Sequence, residues 1–249
     1  MLALKRLFFK SLMSTKKPQT IDSIRELSNT AFLDFEHLGD YIWKSMRLID
    51  HERKIELEKL QAYYPNDLEM QNIRWKRESQ KLDSTFPFLI AQGNFLNATA
   101  MFEIYVLLLV KSVETESLRQ LKDIKGQGVT RALNFLKANS VLYANMQNWE
   151  QVSIAITFRN CIVHASGSLA YFRNGSQIKN IVENKRFLSP DILKWRQELG
   201  SDVNEVFLGI HPILGERLVI TNSYSHWITF VLRGFFSGLC LNVLEKIDK

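Results

Sequence analysis

At residues 158–167 the chain reads FRNCIVHASG, and this stretch ends a helical pattern that begins near Trp149. Apolar residues recur before and within it at the spacing expected of a helix. The side chains of Arg159, Asn160 and His164 interrupt the most apolar part of this pattern. The sequence therefore predicts a core helix that carries an arginine, a carboxamide and an imidazole near its C-terminal end.

The spacing of these polar residues determines which of them share a helix face. Asn160 and His164 are four residues apart, so they lie one turn apart on one face, within side-chain reach. Arg159 is five residues from His164, about 140° around the helix axis, so only its guanidinium could reach the same edge. Histidine exchanges a proton near neutral pH, arginine suits phosphate oxygens and asparagine can orient an imidazole. We interpret the three as a candidate phosphate-handling set, with a satisfied polar group in the core as the alternative.

The motif resembles the signature of the HEPN superfamily (higher eukaryotes and prokaryotes nucleotide-binding domains). That signature is Arg, four to six residues, then His, commonly with a polar residue directly after the Arg. Here four residues separate Arg159 from His164, the polar residue is Asn160, and the small residues 165–167 follow. The resemblance implies a mainly α fold, an HEPN-like helical bundle, with activity as a metal-independent endoribonuclease.

The resemblance also implies a homodimer in which two copies of the motif face each other across a composite cleft. His164 would act as general acid or base while the ribose 2′-hydroxyl attacks the adjacent phosphate, which leaves a 2′,3′-cyclic phosphate. Arg159 would stabilise the phosphoryl oxygens, and Asn160 would position His164 or bind phosphate. Because the nucleophile belongs to the substrate, RNA would be cleaved and DNA would not. No cofactor and no metal are expected.

The superfamily suggests a biological setting in antiviral (phage) defence, in a toxin with its antitoxin, or in RNA processing. The expected partners are RNA, a second copy of the chain and an antitoxin or regulatory protein. Two other interpretations stay open. The chain could be a non-catalytic HEPN-like module for RNA or nucleotide binding or for assembly, or the polar residues could form a purely structural internal network.

Composition and charge agree with a globular, RNA-binding protein. The chain has 249 residues, of which 46% are apolar and 11% aromatic, enough for a substantial core. The net charge of +6 favours a polyanionic partner, with an ordinary basic soluble protein as the alternative. The two cysteines fit neither a zinc spacing nor a disulfide framework, so we expect a reducing, cytoplasmic location. The other histidines are too dispersed for a helical zinc site; they are His37, His51, His211 and His226.

The N-terminal residues 1–19 are basic and have no acidic side chain. Their apolar residues fall roughly on one face, which favours a loosely ordered basic arm that touches RNA or a partner, although a transit peptide has a similar pattern. Residues 20–249 are predicted to form a single HEPN-like helical domain. Within it, helical patterns cover residues 20–84 with a break at Pro65-Asn66-Asp67.

Residues 86–113 are the most hydrophobic segment, and a membrane span must be considered for them. Several polar residues interrupt the segment and would be costly in a bilayer, so we predict a core helix and no membrane association. One of them, Glu103, lies in an apolar run where an unpaired carboxylate would be expensive. We expect Glu103 to support the site by pairing with Arg159 or His164; exposure to solvent or to a dimer partner is the alternative.

After Gly167 the pattern changes to one that favours short strands. Apolar runs flank Asn174-Gly175 and, further on, the turn at residues 212–215, so two hairpins are predicted, with a short helix near residues 190–199. We therefore expect a β-insertion at about residues 168–222, which covers the site or shields one end of the bundle. A last helix opening at Ser223 or Ser225 should close the bundle.

Overall fold

The structure, a computed structural model, describes residues 2–115, 117 and 119–247, with their side chains from residue 19 onward. Its fold is mainly helical and bundle-like, with a small antiparallel hairpin before the last helix, as predicted. The helices are α1 (Leu2–Tyr63), α2 (Leu68–Gln80), α3 (Phe86–Glu114), α4 (Gly128–Ala138), α5 (Trp149–Ala165), α6 (Gly175–Glu183), α7 (Pro190–Glu198) and α8 (Asn222–Ile247). The strands are β1 (Val206–His211) and β2 (Gly215–Ile220).

The breaks between the first helices follow local sequence signals. Helix α1 ends at Tyr63, just before Pro65, and the Asp67 carboxylate accepts a hydrogen bond from the Met70 backbone N–H at 2.9 Å to cap α2. A π-helical segment, Lys81–Thr85, then leads into α3, which confirms the predicted core helix. The basic arm predicted for residues 1–19 is defined by its side chains. Those of residues 1–18 lie outside the described residues, so the arm stays a prediction.

Two helical stretches are long and apolar enough to cross a membrane by length and composition alone. They are Leu68–Glu114 and Asn222–Ile247, and 44% and 50% of their most apolar windows are buried within the protein. Core helices of soluble proteins have the same properties, so this finding does not by itself indicate a membrane protein.

Contacts along the chain divide it into two compact units. The first combines residues 1–36, 100–149 and 231–249, and the second combines residues 37–99 and 150–230. Several helices therefore contribute residues to both units. The expected single domain over residues 20–249 stays a prediction.

The first unit has an aromatic and aliphatic core with one buried polar contact. Tyr105 packs on Phe35 and Phe236, with ring centroids 6.0 and 5.5 Å apart, and its hydroxyl donates a hydrogen bond to Asp34. Burial, and then the Asp34 carboxylate, raise the pKa of Tyr105 to about 12. The phenol is therefore neutral under physiological conditions and serves as a hydrogen-bond donor.

The second unit is packed around Tyr224, near the start of α8. Its ring is fully buried and meets four other aromatic rings at centroid distances of 5.7 to 6.3 Å. Those rings belong to Phe95, Phe158, Phe187 and Trp227. Because Phe158 lies directly before Arg159, this cluster fixes the motif helix α5 in place.

The insertion between α5 and α8 is more helical than the sequence suggests. The prediction of a hairpin around Asn174-Gly175 is wrong, because α6 begins there. Its apolar residues Ile178, Ile181 and Val182 are buried together at helical spacing. A turn is present, closed by the Gly175 N–H donating to the Phe172 carbonyl at 3.0 Å, but it leads into a helix and not into a strand. The Gly175 Cα approaches the Leu169 carbonyl so closely that a Cβ would collide with the oxygen. The short helix predicted near residues 190–199 is confirmed by α7.

The second predicted hairpin is confirmed by β1 and β2. The two strands are antiparallel, with Val206 opposite Ile220 and His211 opposite Gly215. The hairpin is also tied to the segment that follows α5, since the Leu218 N–H donates to the Gly167 carbonyl at 2.9 Å. The hairpin thereby reaches the C-terminal end of the motif helix.

Candidate functional site

The motif occupies the C-terminal half of α5, whose other residues hold the helix in the core. Phe158 and Cys161 are fully buried on either side of Arg159 and Asn160. Burial raises the pKa of the Cys161 thiol to about 11, so it is protonated at neutral pH and is not an activated nucleophile. Cys161 therefore contributes to packing, and the polar residues beside it are the candidates for chemistry.

Arg159 and Asn160 are half-buried and contact each other. The Arg159 Nη1 donates a hydrogen bond to the Asn160 Oδ1 at 3.1 Å. The carboxamide oxygen thus helps to hold the guanidinium beside the helix. The suggested role of Asn160 in positioning His164 or in binding phosphate stays a prediction.

His164 lies in the last turn of α5 and is exposed to solvent. In the part of the chain that the structure describes, its imidazole has no hydrogen-bond partner. Val163, directly before it, is also exposed, at 48%. An exposed imidazole beside an exposed apolar side chain can be reached by a substrate or by a second protein molecule. In a structural network inside the core, the imidazole would instead be buried and hydrogen-bonded.

The chain turns sharply directly after His164. Ser166 and Gly167 adopt positive φ angles of 51° and 80°, and the Gly167 N–H donates to the Cys161 carbonyl at 3.1 Å, which caps the helix. A Cβ at residue 167 would lie 3.2 Å from the Leu218 oxygen. Only glycine combines this backbone conformation with such a close approach.

Arg217 is a basic residue near the motif that the sequence analysis did not identify. Its Nε donates to the Ser166 carbonyl at 2.9 Å, and its guanidinium carbon lies 4.5 Å from the centre of the Phe88 ring. The neighbouring Glu216 is paired with Lys179 at 2.8 Å, so its carboxylate charge is compensated. The hairpin thus brings a second arginine to the turn that follows the motif helix. The sequence shows only one arginine in a short strand and no signal of this proximity.

Glu103 lies on α3, in the first unit. Its Oε1 is 2.5 Å from the position that a Cβ on Gly128 would occupy, so the carboxylate lies against the first residue of α4. A carboxylate is favourable there because a helix N-terminus carries partial positive charge. The expected pairing of Glu103 with Arg159 or His164 stays a prediction.

The arrangement of the other candidate ligands gives no indication of a metal centre. Among the residues that the structure describes, no three His, Cys, Asp or Glu side chains form a group that could hold a metal ion. The motif itself carries the guanidinium of Arg159, the carboxamide of Asn160 and the imidazole of His164.

No protein-family model, curated protein or solved structure shows a significant match to this chain. The functional assignment therefore rests on the motif and its surroundings.

Proposed function

We propose that this protein is a metal-independent endoribonuclease of the HEPN type that acts as a homodimer. The observation that carries the proposal is the placement of the motif: Arg159, held by Asn160, lies on the same helix as a solvent-exposed His164 one to two turns away. One rigid helix, α5, therefore carries both a cation that can bind phosphate oxygens and an imidazole that can transfer a proton.

The chemistry is a transesterification within the RNA strand. The ribose 2′-oxygen forms a bond to phosphorus while the bond from phosphorus to the 5′-oxygen breaks. One imidazole takes the 2′-hydroxyl proton, and one imidazolium gives a proton to the leaving 5′-oxygen. Arg159 stabilises the charge on the non-bridging oxygens. The products are a 2′,3′-cyclic phosphate and a 5′-hydroxyl.

The need for both an acid and a base supports the homodimer. Each chain carries one histidine in the motif, so two chains would supply the pair in one composite cleft. The exposed Val163 beside His164 fits an apolar contact between the copies. The net charge of +6 favours RNA over neutral ligands. A cytoplasmic role in antiviral defence, or as a toxin restrained by an antitoxin, is part of the proposal.

The test is cleavage of labelled structured and single-stranded RNA in excess chelator, with analysis of the product ends. We expect cyclic phosphate ends in the presence of chelator and their loss in His164→Ala. His51→Ala is the matched control, because His51 is another exposed histidine, on α1. Cleavage that requires a divalent metal, or that survives in His164→Ala, would contradict the proposal.

A non-catalytic HEPN-like module for RNA or nucleotide binding is the second candidate. The contact between Arg159 and Asn160 favours it, because the carboxamide oxygen is directed to the guanidinium and the imidazole is left without an orienting partner among the described residues. RNA binding that depends on Arg159, with no cleavage by the unaltered protein, would select this function.

A further inference from the structure

A cavity of about 750 Å³ opens in the second unit. Its lining belongs to α1, the π-helical segment, α3, the hairpin and the start of α8. The volume lies within the range of sites for small organic ligands. None of Arg159, Asn160 and His164 lines it. The cavity is therefore a separate feature from the motif.

Aromatic rings form much of the cavity wall. Trp43, Phe88, Phe207 and His226 all contribute, and the Trp43 and His226 rings lie 5.4 Å apart. Trp43 is 60% exposed, so a bound ligand could cover much of its large apolar surface. Arg217 covers one face of Phe88, whereas Phe207 is 43% exposed. A ligand with a planar ring system could therefore stack on Trp43 or Phe207, and its binding would remove these rings from water.

The first turn of α8, which lines the same cavity, has backbone N–H groups with no helical partner. The Thr221 hydroxyl accepts from the Tyr224 N–H at 3.3 Å, and the Thr221 carbonyl accepts from the Ser225 N–H at 3.1 Å. The N–H groups of Asn222 and Ser223 are bonded to none of the described residues. Both residues line the cavity, at the positive end of a 26-residue helix.

This polar end of the cavity is held rigidly. The Asn222 Oδ1 accepts from the buried Asn94 at 2.8 Å, and its Nδ2 donates to the Ile42 carbonyl at 2.8 Å. Asn94 also donates to the Ser45 hydroxyl at 3.1 Å. The start of α8 is thus fixed to α1 and α3, so its free N–H groups are preorganised.

The charges around the cavity favour an anion. Asp83 is the one carboxylate among the described lining residues, and Arg53 neutralises it at 2.6 Å. Arg47 also lines the cavity, is exposed, and forms no ion pair with a described residue. The uncompensated charge at the opening is therefore positive, and it lies in the same cavity as the donors of α8.

We propose that this cavity binds a nucleoside monophosphate, with the base against the aromatic wall and the phosphate at Arg47 and the start of α8. The ligand is either a free nucleotide or one nucleotide of an RNA strand. The proposal is independent of catalysis at His164.

The test is calorimetric titration of the full-length His164→Ala protein, so that no ligand is consumed, with the four ribonucleoside monophosphates. We expect saturable binding of at least one nucleotide. The matching nucleoside should bind more weakly by about tenfold or more, because it lacks the phosphate and its charge-assisted contacts. Binding of inorganic phosphate as tight as that of the nucleotides would overturn the role of the aromatic wall. Absence of nucleotide binding at millimolar concentration would overturn the proposal.

Two pairs of variants locate the site. Arg47→Gln and Trp43→Ala should each weaken binding by about tenfold, through loss of a charged donor and of a stacking partner respectively. Arg74→Gln is the control for the exposed arginine, and Trp195→Ala, at 56% exposure, for the exposed tryptophan. Equal binding in the cavity variants and their controls would contradict the assignment.

A competition experiment distinguishes the two sources of the ligand. A single-stranded oligoribonucleotide that binds more tightly than the mononucleotide, and loses affinity in Arg47→Gln, would place an RNA strand in the cavity. An oligonucleotide that does not displace the mononucleotide would identify the free nucleotide as the ligand.

Discussion

Arg217 donates a hydrogen bond from its Nε to the main-chain oxygen of Ser166, two residues beyond His164. The contact joins strand β2 to the turn that ends the motif helix. Its guanidinium carbon also lies 4.5 Å from the centre of the Phe88 ring, so the side chain links the turn to α3.

We expect Arg217→Ala to lower kcat/KM for RNA cleavage by about tenfold, because the turn after His164 loses its charge-assisted hydrogen bond and a positive charge beside that turn is removed. The melting temperature should change little because the side chain is partly exposed. Arg173→Ala, which removes an exposed arginine from the same insertion, is the control. Unchanged cleavage in Arg217→Ala would limit this residue to a structural role.

His164→Ala should reduce the rate of RNA cleavage by roughly 10²- to 10⁴-fold, the usual effect of losing a positioned acid or base. Its melting temperature should stay close to that of the unaltered protein, because the imidazole is exposed and forms no hydrogen bond with the described residues. The two quantities are measured on the same preparation. A large fall in melting temperature would instead support the interpretation of the motif as a structural network.

Val163→Asp should separate the proposed homodimer into monomers, because it places a charge beside His164 in an apolar contact. Light scattering after size-exclusion chromatography measures the mass, and RNA cleavage should be lost together with the dimer. Leu142→Asp, at another exposed apolar side chain, is the control and should leave both unchanged. A Val163→Asp protein that remains an active dimer would exclude this surface from the interface.

The sequence predicts the long helices well because their signals are local. The break before Asp67, the apolar helix α3 and the hairpin at residues 206–220 all follow from caps, turns and periodicity within a few residues. The motif helix is predicted for the same reason. By contrast, the contact between Arg217 and Ser166 spans 51 residues, and no local pattern encodes it.

The prediction fails at Asn174-Gly175, where the chain does turn but continues into a helix and not into the second strand of a hairpin. Burial of Ile178, Ile181 and Val182 on one face stabilises a helix, and Gly175 serves to let α6 approach the Leu169 carbonyl. The dipeptide is compatible both with a hairpin turn and with the start of a helix. Only the packing of the rest of the second unit distinguishes these two structures.

Substitution of this glycine provides a test of that interpretation. We expect Gly175→Ala to lower the free energy of unfolding by about 2 to 3 kcal/mol, because the new Cβ would meet a backbone oxygen that cannot move aside easily. Gly234→Ala, within α8, meets no atom within 4 Å and should instead raise it by about 0.5 to 1 kcal/mol. Urea denaturation measures both. A neutral effect of Gly175→Ala would contradict the close approach.

Burial of Tyr105, together with its contact to Asp34, should make stability depend on pH in the alkaline range. The pKa of Tyr105 is raised from 10.0 to about 12 in the folded protein. Between these values the folded state retains a proton that the unfolded state loses. The contribution to stability is therefore complete below pH 10 and disappears as the pH rises through 12.

We expect the difference in unfolding free energy between the unaltered protein and Tyr105→Phe to shrink by about 2 kcal/mol as the pH rises from 9 to 12. Comparing the two proteins cancels the titration of the other side chains. Tyr63→Phe, at a strongly exposed tyrosine, should show no such change. Parallel pH profiles for Tyr105→Phe and the unaltered protein would mean that the phenol ionises equally in the folded and unfolded states. Neither burial nor the Asp34 carboxylate would then shift the pKa of Tyr105.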